Sequence, residues 1–287
     1  MLDRDKRELF RNVLQGEECI FPGSVYDAVS ARLATEVGFE IGMFAGSIGS
    51  SVVLGAPDYI VLTLTEFAEQ ARRICRNTSL PLLVDADHGY GNALNVKRTV
   101  EELENAGVAA LTIEDTLLPR PYGMEKTTLI SIEEGVGKMR AALKGRSDPS
   151  LVIAGRSSAF SVTSIEDAVE RAKQYENAGV DAMFFTGIKT REQVEYLSET
   201  LNIPIFLGGT PTELADLDFL SANNVRIALQ GHVPVMAAIK TVYDTLKMLK
   251  NGAPPNELSG TFSEELMEQL TQSDQYQGWI NEYLIKN

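Results

Sequence analysis

Two acidic residues at alternate positions, Asp85 and Asp87, directly follow the short apolar run 82–84. Glycines follow them within the segment 81–92, a composition typical of a buried strand that ends in a turn. Two carboxylates at such a place need a partner that offsets their desolvation. A divalent cation is one such partner, and oxygen ligands with room for water suit Mg²⁺. Taken alone, the segment is explained equally well by acids that cap the next helix or face solvent.

Short apolar runs alternate with helical segments along most of the chain. We count eight runs, at residues 19–21, 41–45, 82–84, 109–113, 151–154, 182–185, 203–207 and 225–229. Strands that alternate with helices pair in parallel through right-handed crossovers, and eight such units close into a barrel of roughly 250 residues. We therefore predict the α/β class and a (β/α)8 TIM-type barrel. A doubly wound open sheet is the alternative, but the glycine pattern at 89–94 lacks the third glycine of a dinucleotide-binding turn.

The domain organisation follows from where this alternation begins and ends. An extra amphipathic helix is predicted at residues 3–15, and the barrel domain is assigned to residues 1–250. Residues 251–260 are rich in turn formers and predict a linker, followed by helices at 263–270 and 275–284. The tail 251–287 must bury its apolar face on a neighbouring subunit or on its own barrel, and both remain open. We expect a homo-oligomer, either a dimer or a tetramer.

Composition narrows the function classes. The 287 residues include 40 acidic and 26 basic side chains, a net charge of −14, which argues against nucleic-acid binding. An anionic substrate must then be attracted by a local positive centre, such as a metal ion or an arginine. Cys19 and Cys75 are too few for a disulfide framework. The charged first residues and the absence of a long apolar run predict a cytoplasmic protein that does not enter a membrane.

Polar residues recur at the carboxyl ends of the predicted strands, where barrel active sites lie. Scattered surface charges would have no reason to favour one end, so the pattern strengthens the metal-site hypothesis. The candidates are Gly46 and Ser47 after the second strand with Asp58 in the following loop, Asp85 and Asp87 after the third, Glu114 and Asp115 after the fourth, Arg156 after the fifth, and His232 after the eighth.

Several candidates also have an ordinary structural interpretation. Ser47 suits a helix N-cap, although the backbone N–H groups of Gly46 and Ser47 equally suit an anion. Arg156 suits a salt bridge, but a guanidinium at a strand end can also hold a carboxylate through two hydrogen bonds. His232 could be a structural histidine. The long loop 117–129 is either a lid that closes over substrate or a plain surface excursion.

Two segments carry a family resemblance. Residues 84–96, VDADHGYGNALNV, and residues 109–116, AALTIEDT, resemble the isocitrate lyase and phosphoenolpyruvate mutase superfamily of magnesium-dependent barrels that act on α-oxo acids. Longer segments, from 24–40 through 231–244, look most like its oxaloacetate decarboxylase branch. The resemblance covers nearly the whole chain.

The resemblance implies residue roles and a reaction. Asp85 would bind Mg²⁺, or Mn²⁺ as an alternative, directly, while Asp58, Asp87 and Glu114 would reach the ion largely through water. Gly46, Ser47, Arg156 and His232 would hold a small α-oxo dicarboxylate, with Arg156 and His232 catalytic. The implied reaction is Mg²⁺-dependent decarboxylation of oxaloacetate to pyruvate and CO₂ through a metal-stabilised enolate.

Two departures from the superfamily pattern bear on the substrate. The lid of its lyases carries a cysteine as proton donor, but residues 121–124 here read PYGM. This disfavours a retro-aldol cleavage that needs a thiol. Arg156 is followed by Ser157 and Ser158, where relatives usually have Thr and Asn, and this leaves the substrate less certain.

Three alternative hypotheses therefore stay open. The chain could have another superfamily activity, on a 2-methylisocitrate-type or phosphonopyruvate-type substrate. It could be a barrel that binds α-oxo acids without turnover. In a metal-free scheme, Lys189, which follows the sixth predicted strand, would form a Schiff base, although an exposed lysine is the simpler interpretation.

Overall fold

The structure is a computed structural model in which residues 2–258 and 263–285 are described. The chain divides into two compact units, Met1–Val233 and Pro234–Asn287. The predicted barrel boundary at residue 250 stays a prediction. Parts of the predicted linker and tail, residues 259–262 and 286–287, lie outside the described residues.

One sheet of eight parallel strands forms the centre of the first unit, and each strand pairs with the next one along the chain. The Ile20 N–H donates to the Arg226 carbonyl, and the Ala228 N–H donates to the Ile20 carbonyl, both at 3.0 Å, so the chain ahead of the first strand meets the last strand. The predicted (β/α)8 TIM-type barrel is confirmed. The strands are β1 Gly23–Ser24, β2 Gly42–Phe44, β3 Leu82–Asp85, β4 Ala110–Glu114, β5 Val152–Ser157, β6 Ala182–Phe185, β7 Ile205–Leu207 and β8 Val225–Ala228.

Helices connect the strands and cover the outer face of the sheet. The helix predicted at residues 3–15 is present with the same bounds. The helices of this unit are α1 Asp3–Gln15, α2 Ala28–Val37, α3 Gly46–Gly49, α4 Leu64–Cys75, α5 Ala93–Asn105, α6 Ile132–Gly145, α7 Ala159–Val162, α8 Ile165–Ala178, α9 Arg191–Thr200 and α10 Leu217–Ala222, with a π-helical turn at Ser50–Leu54.

The first strand is the main difference from the predicted pattern. The apolar run 19–21 was expected to be the strand, but β1 is Gly23–Ser24 and only Ile20 of the run pairs with β8. Pro22 separates the two segments, and proline has no N–H to contribute to a continuous ladder. The strand therefore begins after the proline, which places Ser24 at its carboxyl end.

The strands are buried on both faces because side chains fill the barrel and helices cover it. Leu83, Leu111 and Ile153, on three successive strands, are completely buried. Each such side chain contributes about 1.5 to 3 kcal/mol relative to an exposed one. This rigid core is what holds the strand ends, and the residues they carry, in place.

The N-terminal helix α1 binds to the amino-terminal end of the barrel. The Arg7 side chain is buried and donates to the carbonyls of Val108 at 3.0 Å and Glu104 at 2.7 Å, and to the Asp148 carboxylate at 2.9 Å. Since this end lies opposite the carboxyl ends of the strands, these contacts serve stability.

The second unit consists largely of helices, namely the main part of α11 (Val233–Lys250), α12 (Glu264–Thr271) and α13 (Ser273–Tyr283). On α11, Met236, Ile239, Tyr243 and Leu246 recur on one face, and each is more than half exposed. Within the described residues, no helix combines the length and apolar character needed to cross a membrane.

We predict that Arg7→Met lowers the free energy of unfolding by about 3 kcal/mol, because two carbonyls and a carboxylate lose their buried donor. Urea denaturation with a common m-value measures the change. Arg4→Met is the matched control on the same helix: Arg4 makes only an exposed pair with Glu8 at 3.0 Å, so the change should stay below about 0.5 kcal/mol. Equal effects of the two substitutions would contradict the anchoring role.

Candidate active site

Four carboxylates and the guanidinium of Arg156 line a cavity of about 380 Å³ at the carboxyl ends of β3, β4 and β5. Its remaining walls come from residues 58–60 and from the loop 116–128. The structure thus brings together five of the predicted site residues: Asp58, Asp85, Asp87, Glu114 and Arg156.

The turn after β3 positions Asp87. Its backbone has a left-handed φ of 47°, its N–H donates to Asp85 Oδ1 at 3.1 Å, and its carbonyl accepts from the Glu114 N–H at 2.8 Å. Gly46 makes room for its carboxylate, because a Cβ at that position would lie 2.6 Å from Asp87 Oδ1. A side chain at position 46 would therefore displace the Asp87 carboxylate from its present position.

Three donors orient the Asp85 carboxylate. Oδ1 accepts from the Asp87 N–H and from Thr112 Oγ1 at 3.2 Å, and Oδ2 accepts from Arg156 Nη1. A carboxylate offers about four lone-pair positions. One position on Oδ2 is therefore left for a further ligand.

Arg156 is held between two of the carboxylates. Nη1 pairs with Asp85, Nε lies 3.4 Å from a Glu114 oxygen without forming a hydrogen bond, and the guanidinium lies 5.4 Å from the ring centroid of Phe184. Burial opposes the charge, but the carboxylates of Asp85 and Glu114 raise the pKa of Arg156 above its usual value. The residue is therefore a permanent cation at the centre of the site.

Negative charge exceeds positive charge in this cavity. Burial, together with the charges of Asp85 and Glu114, raises the pKa of Asp87 well above its usual value. Burial also raises the pKa of Glu114 and of Asp58, and the charge of Asp85 adds to both shifts. Of the three basic residues in the lining, only Arg156 pairs with these carboxylates among the described residues, so the site favours an additional cation.

The donor set fits a hydrated divalent ion. Across the described residues, no three histidine, cysteine, aspartate or glutamate side chains are grouped closely enough to hold a metal ion. Mg²⁺ keeps several waters and is commonly held through one or two carboxylates. An ion that touches Asp85 directly and meets Asp58, Asp87 and Glu114 through water suits these residues better than an ion enclosed by protein ligands.

Three further predicted residues, Gly46, Ser47 and His232, are not among the described residues that line the cavity. Gly46 abuts Asp87, Ser47 follows it in α3, and His232 has its Nδ1 3.0 Å from Ser24 Oγ. Burial lowers the pKa of His232, while the charge of Asp85 acts in the opposite direction. His232 therefore lies within electrostatic range of the carboxylates and is neutral at neutral pH.

Asp115 does not belong to the site, although its neighbour Glu114 does. Its fully buried carboxylate accepts from Tyr175 Oη at 3.0 Å and from Arg171 Nη1 at 3.2 Å. Successive residues of a strand project to opposite faces, so only one of the two acids can face the barrel mouth. Arg171 also donates to the Ile130 carbonyl at 2.9 Å, which ties the end of the 117–129 loop to β4.

Two basic residues of the cavity wall were missed by sequence reasoning. Arg120 and Lys126 lie in the loop that was predicted to be a lid, and both line the cavity. Their signal was present in the sequence, since they are the only basic residues of that loop. They add positive charge to a cavity that four carboxylates also line.

Lys189 lies apart from the carboxylates. It is exposed and lines a separate cavity at the ends of β6, β7 and β8, together with glycines 187, 208, 209 and 231. A Schiff base at Lys189 would therefore form away from Arg156 and Asp85.

The fold and the site together define a class: a (β/α)8 barrel with four carboxylates and an arginine gathered at the carboxyl ends of its strands. The sequence model described as "Phosphoenolpyruvate phosphomutase" matches residues 10–250. The chain belongs to this family, and the resemblance noted in the sequence is confirmed.

Two relatives carry the name "Oxaloacetate decarboxylase". The protein from Bradyrhizobium diazoefficiens is 58% identical over 270 residues, 94% of each chain. The protein from Rhodopseudomonas palustris is 56% identical over 271 residues, again 94% of each chain.

Solved structures of the superfamily share the fold. Phosphoenolpyruvate phosphomutase from Streptomyces platensis subsp. rosaceus has a TM-score of 0.86 at 25% identity, covering 97% of this chain and 99% of its own. A phosphonopyruvate hydrolase complex with oxalate and Mg²⁺ has a TM-score of 0.84 at 26% identity, covering 99% of this chain and 100% of its own.

We predict that Asp87→Asn stabilises the metal-free protein at neutral pH, by about 1 kcal/mol, because it removes a repelled, buried carboxylate. A carboxyl with a raised pKa in the folded state costs stability above that pKa, so the wild type should also gain stability as pH falls toward the ordinary carboxyl range. Thermal unfolding with and without chelator, across pH, measures both effects.

The matched measurement adds Mg²⁺ to each protein. The wild type should gain melting temperature as Mg²⁺ rises, because a ligand that binds only the folded state stabilises it. Asp85→Asn should lose this gain. Mg²⁺ that stabilises Asp85→Asn as strongly as the wild type would contradict a site at Asp85.

Proposed function

We propose that this protein decarboxylates oxaloacetate to pyruvate and CO₂ and depends on Mg²⁺, with Mn²⁺ as an alternative ion. The observation that carries the proposal is the 58% identity, over 94% of both chains, with the Bradyrhizobium protein named oxaloacetate decarboxylase. The cavity supports it, because its charges suit a small dianionic oxo acid bound together with a cation.

The thiols of the chain argue against a retro-aldol lyase. Cys19 and Cys75 are both buried, neither lines the cavity, and burial raises the pKa of each thiol to about 12. Neither can donate a proton to a substrate in the cavity. Loss of CO₂ needs no acid to release its leaving group, and the enolate that remains can take its proton at C3 from water once CO₂ has left, so the reaction can proceed without a thiol.

Arg156 orients the substrate. Nη1 is engaged by Asp85, but no partner of Nη2 is found among the described residues. Nη2 is therefore available to donate a charge-assisted hydrogen bond to a substrate carboxylate. In this role Arg156 stays protonated throughout, since its pKa is raised.

The carboxylates Asp85, Asp58, Asp87 and Glu114 would hold Mg²⁺, the first directly and the others through water. The ion, when bound, supplies Lewis-acid stabilisation of the charge that develops on the oxo oxygen, an effect worth several kcal/mol. The backbone N–H groups at Gly46 and Ser47 would bind the adjacent carboxylate of the oxo acid.

The loop 116–128 supplies positive charge to the cavity. Arg120 and Lys126 come from the loop 116–128, whose ends are joined by the Leu117 N–H, which donates to the Thr128 carbonyl at 2.8 Å. These residues can attract a dianion at the entrance, while closure of the loop would exclude water.

We also propose a homo-oligomer, a dimer or tetramer, in the cytoplasm. The apolar face of α11, with Met236, Ile239, Tyr243 and Leu246 exposed, favours a second copy of the chain as the partner. Two buried free cysteines are consistent with a reducing compartment.

The substrate is tested with a panel of oxaloacetate, 2-methylisocitrate and phosphonopyruvate in the presence of Mg²⁺, with pyruvate release measured against the enzyme-free rate. We expect release from oxaloacetate only, abolished by chelator and restored by Mg²⁺ or Mn²⁺. Turnover that survives complete chelation would exclude metal dependence, and release only from phosphonopyruvate would exclude the proposed substrate.

A substitution arm tests the site within the same assay. Arg156→Lys should lower kcat/KM by about 100-fold, because a lysine cannot reproduce the planar guanidinium contacts. Arg191→Lys is the control, since Arg191 pairs with Asp216 and lies over Phe219, remote from the carboxylates. An Arg156→Lys enzyme as active as this control would exclude the binding role.

For the oligomer, sedimentation should give about two or four times the 31.4 kDa chain mass. Ile239→Asp together with Tyr243→Asp should shift the distribution toward the monomer, because charge is placed on the apolar face. Thr241→Asp, on the opposite face of α11, is the control and should leave the mass unchanged. A wild-type monomer at micromolar concentration would refute the proposal.

A further inference from the structure

Ser24 is the one polar side chain at the carboxyl end of β1, and its hydroxyl contacts a predicted catalytic residue. Ser24 Oγ lies 3.0 Å from His232 Nδ1, and both side chains are half-buried. The two residues are 208 positions apart, and the closure of the barrel between β8 and β1 brings them together. Sequence reasoning did not single out Ser24.

The hydrogen bond can run in either direction, and each direction specifies a different tautomer of His232. If the serine donates, Nδ1 is the acceptor and the ring proton lies on Nε2. If Nδ1 donates, the serine proton needs another acceptor, and none is found for it among the described residues. The first arrangement satisfies both groups with one bond.

The electrostatic surroundings favour the same direction. Asp85 acts on His232 with a negative charge, which stabilises a ring N–H directed toward the carboxylates. Ser24 engages Nδ1, so Nε2 is the nitrogen left to interact with groups at the barrel mouth. Burial lowers the pKa of His232, so a second ring proton is disfavoured at neutral pH.

We propose that Ser24 is a positioning residue whose hydroxyl donates to Nδ1 and holds His232 in the Nε2–H tautomer, as a hydrogen-bond donor to the oxo acid. The proposal rests on the proposed function only for the identity of that oxo acid. A neutral imidazole that gave up its Nε2 proton would become an imidazolate, which is strongly unfavourable. His232 therefore binds an oxygen of the substrate without transferring its proton.

The chain suits a direct measurement, because His88 and His232 are its only histidines. In ¹⁵N-histidine-labelled protein with Mg²⁺, nitrogen chemical shifts distinguish protonated from unprotonated ring nitrogens. The wild type should show His232 protonated at Nε2 alone at neutral pH. Ser24→Ala should give a mixture of tautomers, Ser24→Thr should restore the wild-type pattern, and the buried His88 should stay unchanged as the internal reference.

The kinetic arm uses the same variants. Ser24→Ala should lower kcat for oxaloacetate by about 10-fold, in line with the loss of a group that orients a histidine, and Ser24→Thr should stay within about 3-fold of the wild type. The kcat of the wild type should not fall as pH rises through the pKa of His232, since the neutral ring is the active form.

The outcomes separate this proposal from the proposed function. A His232 protonated at Nδ1 or at both nitrogens, or a tautomer unchanged in Ser24→Ala, overturns the role of Ser24. A tautomer that changes while kcat does not also overturns it. If the wild type fails to decarboxylate oxaloacetate, the proposed function is wrong. The nitrogen chemical shifts still decide whether Ser24 holds His232 in the Nε2–H tautomer.

Discussion

An excess of negative charge around one guanidinium is the constraint on which the site depends. Four carboxylates approach each other at the barrel mouth, and Arg156 balances only part of their charge. Burial and mutual repulsion raise the pKa of Asp87 and Glu114, so the arrangement is expected to cost stability when no other cation is present. Binding of a divalent ion would remove this cost. The metal-free protein is therefore expected to be destabilised by repulsion between the same carboxylates that would hold the ion.

The barrel separates the elements that stabilise it from those that perform chemistry. At the amino-terminal end, Arg7 donates hydrogen bonds to two backbone carbonyls and a carboxylate. At the carboxyl end, one lone pair of Asp85 Oδ2 and the Nη2 group of Arg156 have no partner among the described residues. The buried strands between the two ends are rigid, so contacts at one end help to hold the unpaired polar groups at the other in place.

Much of the fold was predictable, since short apolar runs alternating with helices leave few topologies. Gly107 and Gly179, each preceded by Glu-Asn-Ala in the sequence, adopt left-handed φ values of 89° and 103°, as glycines that end a helix commonly do. The error at β1 has a local cause. The apolar run 19–21 was predicted to be the strand, but Pro22 interrupts the pairing and β1 is Gly23–Ser24. Hydrophobic patterns locate buried segments, but the missing N–H of a proline decides where pairing resumes.

The sequence by itself determined where β3, β4 and β5 end, and hence that Asp85, Asp87, Glu114 and Arg156 share one rim of the barrel. Only the tertiary structure decided between Glu114 and Asp115, because strand direction turns one acid to the cavity and the other to Arg171 and Tyr175. It alone joined Ser24 to His232 across 208 positions. The physical reason is that spacing along the chain specifies local conformation, whereas barrel closure specifies which distant side chains come within hydrogen-bond distance.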